Sequence, residues 1–236
     1  AYHQKIRKKL LKDLKFLPDT FWDTNPIISG SYAIHLLFKP QAFYDDIDLY
    51  FATAEDYDAA KKILSQLSEE STSQNCGTFK VENQKIQLIK KFFSPPEVIV
   101  YAHDFKNSSI CITKNEVYLD DQIFNLYHNN LLSIRSTQIT EDMKEEDKIR
   151  KIGLLYNRIL KYRRRYELTL DPDSYSILKD LESLLNNYTF IELSNVMIDS
   201  SIYYDGSYSP LQNNLMSMHE VRNHLKGFLQ FSLFED

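Results

Sequence analysis

Apolar positions at the start of the chain follow a helical period. In residues 4–17, Ile6, Leu10, Leu14 and Leu17 fall on one stripe and lysines fill much of the rest, which predicts an amphipathic helix. A second apolar run, Tyr32 to Phe38, is opened by Ser29-Gly30-Ser31 and stopped by Pro40, the marks of a short helix and its N-terminus. The period then changes to two. Asp46, Asp48 and Tyr50 share one face, while Ile47, Leu49 and Phe51 share the other, so 46–51 reads as a strand. Thr53 is placed as an N-cap with Asp56 at N3, and a helix runs from there to Leu67. Residues 70–77 read as a polar loop. Strands are expected at 79–81 and 85–89, paired around Asn83. Ser94-Pro95-Pro96-Glu97 has the shape of a capping box over a helix at 95–103. A hairpin is expected at 109–113 and 116–119, around Lys114-Asn115.

Beyond residue 119 the pattern turns helical. Helices are predicted at 120–132, 141–166, 172–187 and 216–231, the third started by Asp171-Pro172, with a Ser/Tyr/Asn/Gly-rich loop at 199–214. The expected organisation is an α/β core over 1–118 with an N-terminal helix, followed by a helical domain over 119–236.

Composition narrows the function classes. With 236 residues, 14 Phe and 16 Tyr, the chain has ample material for a core and is not intrinsically disordered. Its longest uncharged apolar stretch is well short of the roughly 20 residues a spanning helix needs, so no membrane role is expected. No signal peptide pattern opens the chain, and its start at Ala1 rather than Met suggests a trimmed beginning. A net charge of −5 argues against a general nucleic-acid coat, though not against a local basic groove. The two cysteines, Cys76 and Cys111, have neither metal spacing nor a disulfide framework, which fits a reducing, cytoplasmic location.

The chemistry concentrates in Ser29-Gly30-Ser31 and Asp46-Ile47-Asp48, with fourteen residues between Ser31 and Asp46. Carboxylates at i and i+2 on a strand point the same way, their Cα atoms roughly 6.6 Å apart. Two like charges so placed repel unless a cation lies between them. Hard cations such as Mg²⁺ take oxygen ligands and leave room for phosphates. Gly30 would let backbone approach a phosphate, Ser31 adds a hydroxyl, and the helix start adds free N–H groups.

Gly30-Ser31 and Asp46-Ile47-Asp48 resemble, residue by residue, the signature of the DNA polymerase β-like nucleotidyltransferase superfamily, over about residues 25–113. Residues 86–112 resemble a branch found in large viruses and phages. The resemblance implies a mixed sheet flanked by helices, two Mg²⁺ ions, a nucleoside triphosphate donor, and transfer of a nucleoside monophosphate to an acceptor hydroxyl. It assigns Asp46 and Asp48 to the metals and Ser29, Gly30 and Ser31 to the nucleotide. The acceptor stays open among RNA or tRNA, protein and small molecules.

Two departures matter. Ser29 stands where the superfamily often has Gly. The later strand that usually carries a third carboxylate has neutral Gln87; Asp104 is the best substitute as metal ligand and base, with Glu82 and Glu97 less well placed. If no acid fills that role, the alternative is a catalytically inactive relative that binds nucleotide or a protein partner. Downstream, Arg158, Lys161 and Arg165 share a helical face, thickened by Arg163 and Arg164, with Ile149, Ile152, Tyr156 and Ile159 on a core-facing side. Arg158 and Lys161 are the leading candidates to grip phosphate. His35 reads as packing, and Tyr203-Tyr204-Asp205-Gly206 as a packed loop or a base-stacking platform.

Overall fold

The computed structural model describes residues 2–72, 76–137 and 139–185; the expected loop at 199–214, the helix at 216–231 and the Tyr203–Gly206 segment lie outside them. The chain forms two compact units, Ala1–Ile123 and Phe124–Asp236.

The first unit runs α1 (Tyr2–Asp13), α2 (Asp19–Trp22), β1 (Ile27–Ser29), α3 (Ser31–Leu37), β2 (Asp46–Tyr50), α4 (Ala54–Ser65), β3 (Glu70–Thr72), β4 (Cys76–Val81), β5 (Gln84–Ile89), α5 (Pro96–Ile99), a 3₁₀ turn (Lys106–Ser108), β6 (Ile110–Ile112) and β7 (Val117–Leu119). The seven strands form one sheet in the order β3-β4-β5-β2-β1-β6-β7. β2 and β5 are parallel, and the other neighbours are antiparallel, so the sheet is mixed as expected.

Alternation decides which face is core. Ile28, Ile47, Leu49, Phe79, Ile86, Leu88 and Ile112 are all buried on one side. Each such side chain contributes about 1.5–3 kcal/mol relative to exposure. α3 lies against β1 and β2, and α4 against β4. The α1 stripe behaves as its spacing predicts: Ile6, Leu10, Leu14 and Leu17 are buried, the last two beyond the helix proper. Thr53 caps α4 by accepting from the Asp56 N–H at 3.2 Å.

Several elements differ from expectation. β1 is a three-residue strand buried on both sides, so it carries no alternation to read. Residues 70–72 are not loop but an edge strand. Glu70, Ser71 and Thr72 pair with Phe79, Thr78 and Gly77, and polar side chains suit such an edge. The turn between β4 and β5 uses Glu82 and Asn83, both at positive φ (48° and 64°), which matches the right-handed twist of a hairpin. α5 is a single turn rather than a helix over 95–103.

The later residues form α6 (Ile123–His128), β8 (Leu131–Leu132), α7 (Glu145–Tyr166), β9 (Thr169–Leu170) and α8 (Pro172–Leu185). They are mainly helical, as the pattern suggests. The addition is a short parallel ladder, Leu131 opposite Thr169 and Leu132 opposite Leu170, too brief to show in sequence. Ile152, Tyr156 and Ile159 form the buried side of α7; the side chain of Ile149 lies outside the described ones. Asp171 caps α8 by accepting from the Ser174 N–H at 2.9 Å.

Candidate active site

The face of the sheet opposite the core carries the polar residues, and register sets their neighbours. Ser29 on β1 lies opposite Asp48 on β2. Asp48 lies opposite Gln87 and Asp46 opposite Lys85 on β5. Thr78 and Lys80 on β4 continue the two rows, opposite Gln87 and Lys85. Side chains of register partners share a face.

Gly30 links β1 to α3 in a conformation (φ 83°, ψ −154°) that L side chains rarely adopt. A Cβ there would stand 2.7 Å from Asp48 Oδ2. The Asp48 carboxylate therefore sits directly against the glycine turn. Ser31 Oγ donates to the backbone carbonyl of Asp46 at 3.4 Å, a weak tie between the start of α3 and that of β2. Ser29, Gly30, Ser31, Asp46 and Asp48 are thus brought together although far apart in the chain.

The two acids have different surroundings. The Asp46 side chain is only 6% exposed, and Lys85 Nζ approaches its Oδ1 at 3.3 Å from a side chain that is 41% exposed. A carboxylate this deep needs a compensating cation. Asp48 is half-buried and faces the turn.

Ser29 is fully buried. Its hydroxyl donates to Ile110 O at 2.6 Å and meets His103 Nε2 at 2.8 Å. A hydroxyl has one proton, so the network assigns His103 Nε2–H as donor to Ser29 Oγ. His103 also stands edge-on to Tyr50 at 6.1 Å, on the acid face. Beside Ser29, burial pushes the Cys111 thiol up to about 12, while its hydrogen bond to Ser29 pulls the other way.

Asp104 follows His103 in the segment between α5 and the 3₁₀ turn, half-buried. Among the described residues, no three His, Cys, Asp or Glu side chains gather into a metal-ligand group. Gln87 occupies the place opposite Asp48 where a third acid would complete the row. Glu82 is used in the hairpin turn, and Glu97 faces Tyr118. The oxygen-only pair Asp46 and Asp48 suits a hard divalent ion, with Lys85 already supplying one positive charge beside it.

Arg158 and Lys161 belong to α7 in the second unit, the first exposed and the second half-buried. Arg163 does not join the exposed stripe. It is buried, and desolvation lowers its pKa, with Tyr175 opposing the shift. His35 is a packing residue as expected: its Nδ1 meets Ala42 O at 2.9 Å and its ring packs against those of Tyr32 and Tyr44.

Sequence reading passed over Lys85 and His103. Lys85 was visible only as the start of a strand, but the same alternation that pairs Asp46 with Asp48 puts positions 85 and 87 on one face. No signal in the sequence links His103 to Ser29, 74 residues away.

This sheet, with a glycine turn against paired acids, is the core of a nucleotidyltransferase fold. It is similar to the Thermotoga maritima CCA-adding enzyme complexed with tRNA (16% identity, TM-score 0.54, covering 96% of this chain and 52% of that one). It is also similar to a CCA-adding enzyme in complex with CTP (14%, TM-score 0.57, covering 93% and 51%) and one in complex with ATP (15%, TM-score 0.56, covering 96% and 52%). The chain spans about half the length of these enzymes. No curated protein matches it by sequence. Residues 3–130 match the profile of the Gabija anti-defense 2 (Gad2) family, more than half the chain, and the protein belongs to that family. Among the described residues no helix is long and apolar enough to cross a membrane.

Proposed function

We propose that this protein is a divalent-metal-dependent nucleotidyltransferase whose activity serves the anti-defence role its family name states. The observation that carries the reading is the contact of Asp48 with the Gly30 turn beside Asp46 on one face of β2. The solved CCA-adding enzymes with CTP and ATP support a nucleoside triphosphate as donor. Residues 1–118 would form the catalytic core and 119–236 a helical domain that adds cations; the viral or phage-type branch and a cytoplasmic site of action belong to the same reading.

Asp46 and Asp48 would hold Mg²⁺, which when bound polarises the α-phosphoryl group and favours the ionised acceptor hydroxyl. Gly30, with no Cβ, admits a phosphate oxygen close to the backbone, and Ser31 offers a hydroxyl donor. Asp104 takes the proton of the acceptor hydroxyl. A bond forms between the acceptor oxygen and the α-phosphorus, the bond to the β-phosphate breaks, and pyrophosphate leaves. Basic side chains would balance its charge, with Arg158 and Lys161 as the proposed candidates. Ser29 holds β1 in place through Ile110 and His103.

The test is transfer of labelled NMP from each NTP to RNA, tRNA, protein and small-molecule acceptors, with and without Mg²⁺. Asp46→Asn and Asp48→Asn should abolish transfer, leave the fold intact, and abolish protection against the Gabija defence in cells that carry it. Full transfer by the double variant rejects the assignment. Gln87 opposite Asp48 favours a second reading, a non-catalytic nucleotide- or protein-binding relative. Protection that survives both substitutions, with NTP binding retained and no transfer detected, decides for it.

A further inference from the structure

The two rows on the acid face are not electrically equivalent. One runs Ser29, Asp48, Gln87, Thr78 and carries a single charge, that of Asp48. The other runs Asp46, Lys85, Lys80. Lys85 Nζ is 3.3 Å from Asp46 Oδ1, and Asp46 is the deeper acid, with 6% of its side chain exposed. Asp46, Asp48 and Lys85 together carry one net negative charge. A third carboxylate opposite Asp48 would bring that to two, but Gln87 stands there. Lys80, exposed and directly across from Lys85, adds further positive potential on the same side.

We infer that Lys85 is a tethered cation that takes the place of one metal ion, so that the site holds a single divalent ion, on the Asp48 side. The inference deepens the nucleotidyltransferase reading and rests on it. Lys85 reaches Asp46 from the neighbouring strand β5, with register fixing the pair, and its half-exposed chain keeps the ammonium at the rim of the site. One divalent ion brings the cluster to one net positive charge before polyphosphate arrives. A second would bring it to three positive charges beside Lys80, against Coulomb's law at short range. Lys85 acts through Asp46 and the ion and is a positioning residue.

The readout is ion count, independent of turnover. Mn²⁺ alone is titrated into the full chain, without nucleotide, and bound ions are counted by electron paramagnetic resonance and equilibrium dialysis. Wild type should bind one Mn²⁺. Lys85→Gln should bind two, or bind its one ion roughly tenfold more tightly, and Lys85→Arg should behave as wild type. Circular dichroism and thermal melts confirm that each variant is folded. Two ions on wild type, none on wild type, or a Lys85→Gln variant indistinguishable from wild type overturns the inference. Transfer by a wild type that binds two ions leaves the enzyme reading standing and removes Lys85 from it. One ion without transfer to any acceptor does the reverse.

Discussion

Replacing Gly30 by alanine tests the geometry on which the site depends. The added Cβ meets two separate obstacles. The backbone at φ 83° and ψ −154° lies in a region almost reserved for glycine, and holding alanine there costs about 1–3 kcal/mol. The same Cβ would stand 2.7 Å from Asp48 Oδ2, so the carboxylate has to move by several tenths of an ångström. A drop in Tm of roughly 4–15 °C follows for a unit of this size, measured by differential scanning calorimetry. Displacing a reacting group by 1 Å costs about 10²-fold in rate, so a shift of several tenths of an ångström should lower NMP transfer by up to that much in the variant that remains folded. The two obstacles separate in a double-variant cycle. Asp48→Ala removes the carboxylate, so Gly30→Ala combined with Asp48→Ala should lose less stability than the sum of the singles, by about 1 kcal/mol. A Gly30→Ala protein with wild-type Tm and wild-type nucleotide binding refutes the reasoning, and strict additivity in the cycle refutes the steric part.

Other predictions address the rest of the molecule. Gln87→Glu puts a third acid opposite Asp48; without divalent ions it should destabilise by about 1–3 kcal/mol through repulsion, and Mn²⁺ should recover that loss, whereas a variant as stable as wild type without ions would contradict the shared face. Ser174 is fully buried and its hydroxyl accepts from the Ile134 N–H at 2.8 Å. Ser174→Ala leaves that donor unsatisfied and should cost about 1–3 kcal/mol in urea unfolding; a change below a few tenths would argue against the bond. The buried Cys111 thiol should resist a thiol-reactive dye at pH 8 that labels half-buried Cys76, and both should label after denaturation; equal native labelling rates would count against its burial. Because its native pKa is raised to about 12, the stability from the neutral thiol is complete below the ordinary thiol pKa of about 8.5 and drains as pH climbs between the two. Cys111→Ala should therefore flatten part of the alkaline decline, and an unchanged slope would rule out that contribution.

What the sequence makes legible follows from physics that acts over a few residues. The α1 stripe, the Thr53 cap, the Asp171 cap and the two faces of β2 depend on neighbours within about four positions, and the structure has all of them where the pattern puts them. The glycine turn and the acid pair are legible because each has a local reason to exist, and the resemblance supplied the link between them. Of the strands of two or three residues, β6 and β7 were legible as a hairpin around Lys114-Asn115, and β1, β3, β8 and β9 were not. β1 is buried on both sides, β3 is a polar edge, and β8 and β9 form only when distant segments meet. Lys85 opposite Asp46 and His103 on Ser29 are products of register and of loop closure, and neither has a signature in one dimension. Arg163 shows the converse, because composition counts it as surface charge and packing takes it inside.

The parallel alignment of β5 beside β2 divides mutational freedom by parity. Ile86 and Leu88 are bound to the interior, while positions 85 and 87 point at the acids. A change at either odd position can alter ion demand, reagent preference or the presence of chemistry altogether, and leave the hydrophobic layer undisturbed. A one-residue slip would exchange the two sets at once and destroy both. Under the proposed function, changes in ion binding and catalysis would then arise at positions 85 and 87 without any rebuilding of the fold.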